Sequence, residues 1–159
     1  MSSTNTITDR DLGYADILGK LSELAEGKYV VVGIRSAAGG EDTGNGFNLA
    51  SLAATHEFGS EKAGIPERSF LRSVTDARQE EIGARAEAAV GRVLDGGDVA
   101  KELGLIGLEH AGKIQQAIAD RTIGGPPNAE ETIRRKKSST PLIDTGRLRQ
   151  SIDSEVRKP

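Results

Sequence analysis

The sequence predicts an α+β fold: a small antiparallel or mixed sheet packed by a long antiparallel helix pair, with extended loops. Three observations predict it. Two segments carry strand signals, the β-branched run Lys28-Tyr-Val-Val-Val-Gly-Ile-Arg35 and a terminal stretch where Ile152, Ser154 and Val156 alternate with Asp153, Glu155 and Arg157, the period of a half-buried strand. Between them lie two long segments with helical apolar stripes, joined by Gly96-Gly97. Further glycines gather within 39–46 and at 124–125, in stretches that read as loops.

Each element follows from a local signal. Thr8 and Asp11 form a weak capping box, and Tyr14, Ile17, Leu18, Leu21, Leu24 and Ala25 then share one face. They predict an amphipathic helix over 9–26, closed by Gly27 as a left-handed cap. The run 28–35 is expected to be a central strand of a small sheet. Residues 37–46 hold four glycines among Glu41, Asp42 and Asn45 and read as a mobile loop. Its Gly-X-Gly pieces lack the Gly-Lys-Ser/Thr that a phosphate cradle needs.

Asn48 caps a helix over 49–58 with Leu49, Leu52, Ala53 and His56 on one face, and Gly59 ends it. After Pro66, a third helix is expected over 69–94, with the stripe Phe70, Val74, Ala77, Ile82, Ala86, Ala89, Val90 and Val93. Asp98 caps a fourth over 99–122, striped by Val99, Leu103, Ile106, Ala111, Ile114, Ala117 and Ile118. Gly104, Gly107 and Gly112 weaken it by up to about 1 kcal/mol each against alanine, so packing must hold it, and small residues permit a close approach. A loop over 123–128 leads to a short basic helix over 129–137, capped by Asn128, with Glu130 and Glu131 in the first turn and the basic residues in the last. Pro141 breaks the chain. Asp144 or Thr145 then starts a short helical turn before the terminal strand.

The 159 residues fit one domain over 9–159, behind a polar lead, 1–8, expected to be disordered. There is no cysteine, hence neither disulfides nor thiolate chemistry. There is no apolar run of membrane-spanning length and no apolar signal core in the first residues. Net charge is −3 but unevenly spread: from Arg134 onward there are eight Lys/Arg against three Asp/Glu, leaving 13 against 21 in the rest of the chain. That polarity suits a basic end pairing with an acidic surface on a neighbouring copy, or two ordinary solvated faces.

No catalytic set emerges, and the chain reads as a non-enzyme. His56-Glu57 starts like a zinc-protease motif, but Ser60 stands where the second histidine belongs. His110 is far away in sequence, so neither metal nor cofactor is expected. No Gly-X-Ser-X-Gly elbow is present, and no carboxylate pair is singled out by spacing. Arg134-Arg135-Lys136-Lys137 is the main basic cluster. It suits DNA phosphate or an acidic partner. The scarcity of aromatics, three Phe and two Tyr without Trp, argues against a dedicated nucleic-acid binder.

Three segments together carry a resemblance: His56-Glu-Phe-Gly59, then Ile65-Pro-Glu-Arg-Ser-Phe-Leu-Arg72, then Pro141-Leu-Ile-Asp-Thr-Gly-Arg-Leu-Arg-Gln-Ser-Ile152. Their order and spacing resemble the tail-completion, or virion morphogenesis, proteins of tailed bacteriophages, over about Val30 to Arg157. The resemblance implies an α+β subunit without catalysis that forms a ring, often hexameric, at the neck between head and tail. Partners would then be further copies of the chain and neighbouring connector, tail-tube or terminator proteins, with DNA passing through the lumen and no membrane. The place of work would be the virion, after assembly in the host cytoplasm. Tail completion, tail termination and head closure are not separated by these motifs, and a DNA-contacting packaging accessory using 134–137 is the alternative. The 9–26 helix and the 41–45 loop depart from the family pattern.

The interface candidates follow from the same segments. They are Glu57, Phe58, Arg68, Phe70 and Arg72 from the first two, and Asp144, Thr145, Arg147 and Arg149 from the third. Arg68 is expected to pair with a carboxylate such as Glu57. Phe58 and Phe70 are either core residues or interface anchors, and Asp144 reads as a helix cap.

Overall fold

A computed structural model of the protein describes residues 13–43, 48–136 and 139–159. The chain runs α1 (Tyr14–Ala25), β1 (Tyr29–Ile34), α2 (Ser36–Gly39), α3 (Leu49–Phe58), a 3-10 turn (Glu61–Ala63), α4 (Arg72–Asp76), α5 (Gln79–Leu94), α6 (Val99–Ala119), α7 (Glu130–Lys136), α8 (Arg147–Gln150) and β2 (Ile152–Arg157). The fold is α+β. The expected lead 1–8 and the capping box at Thr8 and Asp11 lie outside the described residues. α1 begins after Gly13, which takes φ 98°, and Gly27 takes the left-handed conformation expected of it, φ 70°.

Among the described residues the sheet has two strands. β1 and β2 pair antiparallel, with Tyr29 opposite Arg157 and Ile34 opposite Ile152. β1 is therefore not a central strand, because only the far end of the chain returns to pair with it. Part of the expected 37–46 loop is ordered instead. α2 lies in it, and Asp42 bridges back to Asn48.

α3 forms over the residues expected, and the Asn48 side chain accepts from the Ser51 N–H at 2.8 Å. The long helix expected over 69–94 is two helices, broken at Ala77-Arg78. The apolar pattern contains the reason. At about 100° per residue, Phe70, Val74 and Ala77 fall on one side of the wheel. Ile82, Ala86, Ala89 and Val93 fall roughly a third of a turn away, so one straight helix would not bury both groups.

α5 and α6 are antiparallel. Early Arg85 pairs with late Glu109, and late Arg92 pairs with early Glu102 at 2.7 Å. Asp98 caps α6 by accepting from the Lys101 N–H at 2.6 Å. Of this pair α6 lies on the sheet, and α5 flanks it. Gly107 sets the separation, since a Cβ there would stand 2.4 Å from Val30 Cγ2 and 2.8 Å from Ser154 Cβ. Gln115 also ties α6 to the sheet, donating to the Ile152 carbonyl at 2.8 Å. The core gathers Leu49 and Ala53 of α3, Phe70, Val74 of α4, Ala111, Ile114 and Ile118 of α6, Leu142, Leu148 and Ile152.

α6 ends at Ala119, short of the expected Thr122. Arg121 supplies the left-handed residue, with φ 60°. The Arg121 N–H donates to Ile118 O at 3.4 Å and the Thr122 N–H to Ala117 O at 3.1 Å, the two bonds of a Schellman cap. A non-glycine residue there costs about 1–2 kcal/mol, while glycine loosens the unfolded chain by about 0.5–1 kcal/mol. Arg121→Gly is therefore expected to raise stability by about 0.5–1 kcal/mol, read as a higher urea midpoint at unchanged slope. A lower midpoint contradicts it.

Candidate functional site

Gly59, with φ 73°, turns the chain at the end of α3. A Cβ there would lie 2.8 Å from the Glu67 N and 3.1 Å from the Ile65 O, so only glycine lets the next segment fold back this closely. Ser60 and Ile65 exchange backbone hydrogen bonds at 2.8 and 2.9 Å, and the Arg68 N–H donates to the His56 carbonyl at 2.8 Å. The Glu-Phe-Gly piece and the Ile-Pro-Glu-Arg piece are thus one folded unit.

Glu57 is the polar centre of that unit and is 3% exposed. Its carboxylate accepts from the Ser69 hydroxyl at 2.6 Å, the Leu71 N–H at 2.9 Å, the Arg72 N–H at 3.1 Å and Arg72 Nε at 3.1 Å. It serves as the N-terminal cap of α4, supplied by another helix, where a carboxylate also meets the favourable end of the helix dipole. Burial by itself pushes the carboxyl up. The bonds from Leu71, Ser69 and Arg72 outweigh it and hold the group below the usual carboxylate range.

The expected Glu57–Arg68 pair does not form, because Arg72 occupies that place. Arg72 also reaches Glu67 at 2.8 Å and stacks 4.9 Å above the Phe58 ring. Arg68 turns the other way. It is 6% exposed, and its Nη2 donates to the carbonyls of Pro126 and Pro127 at 2.7 and 3.4 Å. Gly125 lies against its stem, where a Cβ would be 3.0 Å from Arg68 Cγ. Desolvation lowers the pKa of Arg68 from its ordinary value.

The third segment approaches from the C-terminal side. Leu142 is buried in a left-handed backbone, φ 60°, and Leu148 of α8 is buried beside it in the core. The residue at the start of α8 is Gly146, φ 80°, with no side-chain cap. Asp144 is therefore not the cap. Thr145 Oγ1 accepts from the Arg147 N–H at 3.4 Å, and no β-region residue stands at the cap position to use a side chain.

Between these segments lies a cleft of about 460 Å³. His56 and Leu52 of α3, Ile65, Pro66 and Arg68, the 127–129 loop, and Leu142, Asp144, Thr145 and Arg147 line it. Segments up to about a hundred positions apart in the chain thus share one concavity, whose size lies in the range of ordinary binding sites.

The sequence candidates divide by burial. Phe70 is fully buried in the core, so it is not an interface anchor, and neither is the enclosed carboxylate of Glu57. Phe58 is 63% exposed, and the side chain of Arg72 is half exposed. Asp144, Thr145 and Arg147 are exposed and Arg149 is half-buried. Arg147, which lines the cleft, is 3.9 Å from Glu41. Of the basic cluster, Arg134 is exposed, Arg135 and Lys136 lie on α7, and Lys137 falls outside the described residues. Asn128 does not serve as the expected cap of α7; its Nδ2 donates to the Ser139 carbonyl at 3.3 Å.

His110 is buried and meets the Thr75 hydroxyl at 2.9 Å. Thr75 itself donates to Leu71 O at 2.7 Å, so the imidazole is the donor in that contact and ties α6 to α4. Burial, then the neighbouring Arg78, lowers its pKa, against a smaller opposing effect of Glu81. Among the described residues no group of three His, Cys, Asp or Glu could hold a metal ion, and no helix is long and apolar enough to cross a membrane.

Spacing alone could have found the role of Glu57, since Leu49, Ala53 and Glu57 recur every fourth residue and are the buried face of α3. No protein-family model matches the chain, and neither a curated protein nor a solved structure matches it.

Proposed function

We propose that this protein is a structural virion subunit of a tailed bacteriophage, which assembles into a ring at the neck or tail end and joins tail to head. The observation that carries the reading is the convergence of the three family-like segments on one cleft, with Asp144, Thr145 and Arg147 exposed along its rim. Exposed apolar residues on separate elements support it further: Tyr14, Ile17, Leu18 and Leu21 of α1, Phe58, and Leu105 and Leu108 of α6. Where such residues join into a continuous patch, they suit contacts between chains. Two different patches meeting head to tail generate a ring when the rotation closes.

The test is the double substitution Asp144→Ala with Arg147→Ala. Both residues are exposed and neither caps a helix, so each change is expected to shift stability by less than about 0.5 kcal/mol. Light scattering is expected to show a folded subunit that no longer forms multimers, and virion yield is expected to fall. Normal particles from the double variant, or absence of the protein from purified virions by mass spectrometry, would overturn the reading.

A further inference from the structure

Arg68 is a buried cation whose neighbours leave it incompletely matched. Among the described residues no carboxylate lies in ion-pair range of it, and its Nε is buried with no hydrogen-bond partner. Nη2 is its only side-chain donor with acceptors, and both are neutral carbonyls. Two acids of the same folded unit, Glu67 and Glu57, are both engaged on Arg72. Buried charges are costly unless an opposite charge meets them, and Arg68 lines the cleft.

We infer that the cleft is a carboxylate-accepting site, completed when an Asp or Glu side chain of a second copy enters it and pairs with Arg68. A guanidinium fork fits a carboxylate with two parallel bonds. A single carboxylate suits the site better than a polyphosphate chain. Asp144 stands in the same wall, and Glu41 is within 3.9 Å of Arg147, so among the described residues the lining carries no cluster of free cations of the kind a polyanion requires. The acceptor has an abundant donor in its own kind. Before Arg134 the chain carries 21 acidic against 13 basic residues, and Glu80 and Glu87 are exposed along α5. Burying such a pair between copies would favour one orientation of neighbours over others. The choice of a second copy as donor rests on the ring reading above; the carboxylate site does not.

Two measurements test it. In the first, the intact chain labelled with nitrogen-15 is titrated with sodium acetate against sodium chloride at equal ionic strength. The Arg68 Nε–H resonance is expected to shift saturably with acetate and not with chloride, and the same titration of Arg68→Gln is expected to be flat. No saturable shift overturns the site. A shift that appears only after Asp9→Asn with Asp11→Asn, the acids outside the described residues, also overturns it, because the chain's own segment then fills the cleft.

In the second, sedimentation compares the parent, Arg68→Gln and Arg68→Lys. The Gln variant is expected to keep its Tm within about 4 °C while its association constant falls at least about tenfold, and the Lys variant is expected to recover part of it. Assembly of the Gln variant equal to the parent overturns the second copy as donor. A parent that never assembles while acetate still binds refutes the ring reading and the second-copy donor, and leaves the carboxylate site standing. Should the Gln variant fail to fold, the acetate titration of the parent decides alone.

Discussion

Replacing Glu57 by alanine is expected to cost about 3–5 kcal/mol, because it strands several donors that the buried carboxylate satisfies, at about 1–3 kcal/mol for each one left unpaired. The carboxylate accepts four hydrogen bonds at 2.6–3.1 Å. Its loss leaves the Leu71 and Arg72 N–H groups without their cap and the Ser69 hydroxyl without its acceptor. In a domain of this size the Tm is expected to fall by about 10 °C. Arg72→Ala is expected to cost far less, because Arg72 is half exposed and the carboxylate keeps its other donors. Glu57→Gln isolates the charge. Its amide offers one oxygen where the site needs an acceptor on both sides.

The pH dependence separates the variants further. Glu57 is held below its ordinary value of 4.5. Its contribution is therefore fully present above that value and is lost as pH falls below it through the folded pKa. The stability gap between parent and Glu57→Gln is expected to be constant from pH 7 to about 5 and to narrow below about 4.5. A gap that widens in acid, or a Glu57→Ala penalty under about 1 kcal/mol, would show that the carboxylate is not what holds α4.

Much of the fold was legible because its signals are local. The apolar stripe of α6 sits behind the Asp98 cap, the ends of α3 are marked by Asn48 and Gly59, and β2 alternates over six residues. What the sequence hid is set by contacts between distant segments. Among the described residues β1 is an edge strand because β2 alone pairs with it, and that partner lies more than a hundred residues away. α4 starts at a cap that belongs to α3, so no local capping signal exists for it to show. The break at Ala77-Arg78 is legible in the phase of the stripe, whose two halves differ by about a third of a turn.

The site divides the same way. The three segments that build the cleft are recognisable by their motifs, but the pairing of their charges is not, since Arg72 and not Arg68 meets Glu57. Arg68 and Arg72 lie four positions apart in one short segment, and spacing does not say which of them faces Glu57. The deciding element is the Gly124-Gly125-Pro126-Pro127 loop, whose carbonyls take Arg68. Nothing in its composition links it to a residue 58 positions earlier. Phe58 and Phe70 likewise look alike as letters. Phe70 enters the core because α4 packs on α6 through Val74 and the Thr75–His110 contact, whereas Phe58 falls at the exposed end of α3.

The glycines of α6 give the sharpest contrast, since two positions five residues apart on one helix are expected to respond with opposite signs. Gly112 has nothing within 4 Å of where a Cβ would stand, so Gly112→Ala gains helix propensity alone and is expected to stabilise the protein by up to about 1 kcal/mol. Gly107→Ala gains the same propensity. It also drives a methyl to 2.4 Å from Val30 Cγ2 and 2.8 Å from Ser154 Cβ, atoms of β-branched or short side chains on paired strands that have little room to yield. Overpacking of this kind costs about 1–3 kcal/mol, so the net change is expected to be a loss. Gly107→Leu is expected to lose about 3 kcal/mol or more, because its side chain must lift α6 from the sheet and open the core at Ala111 and Ile114. Urea denaturation of the three variants decides the matter. Should Gly107→Ala prove as stabilising as Gly112→Ala, α6 does not rest on the sheet at this separation, and the packing that positions Ile152, α8 and the third wall of the cleft is wrong with it.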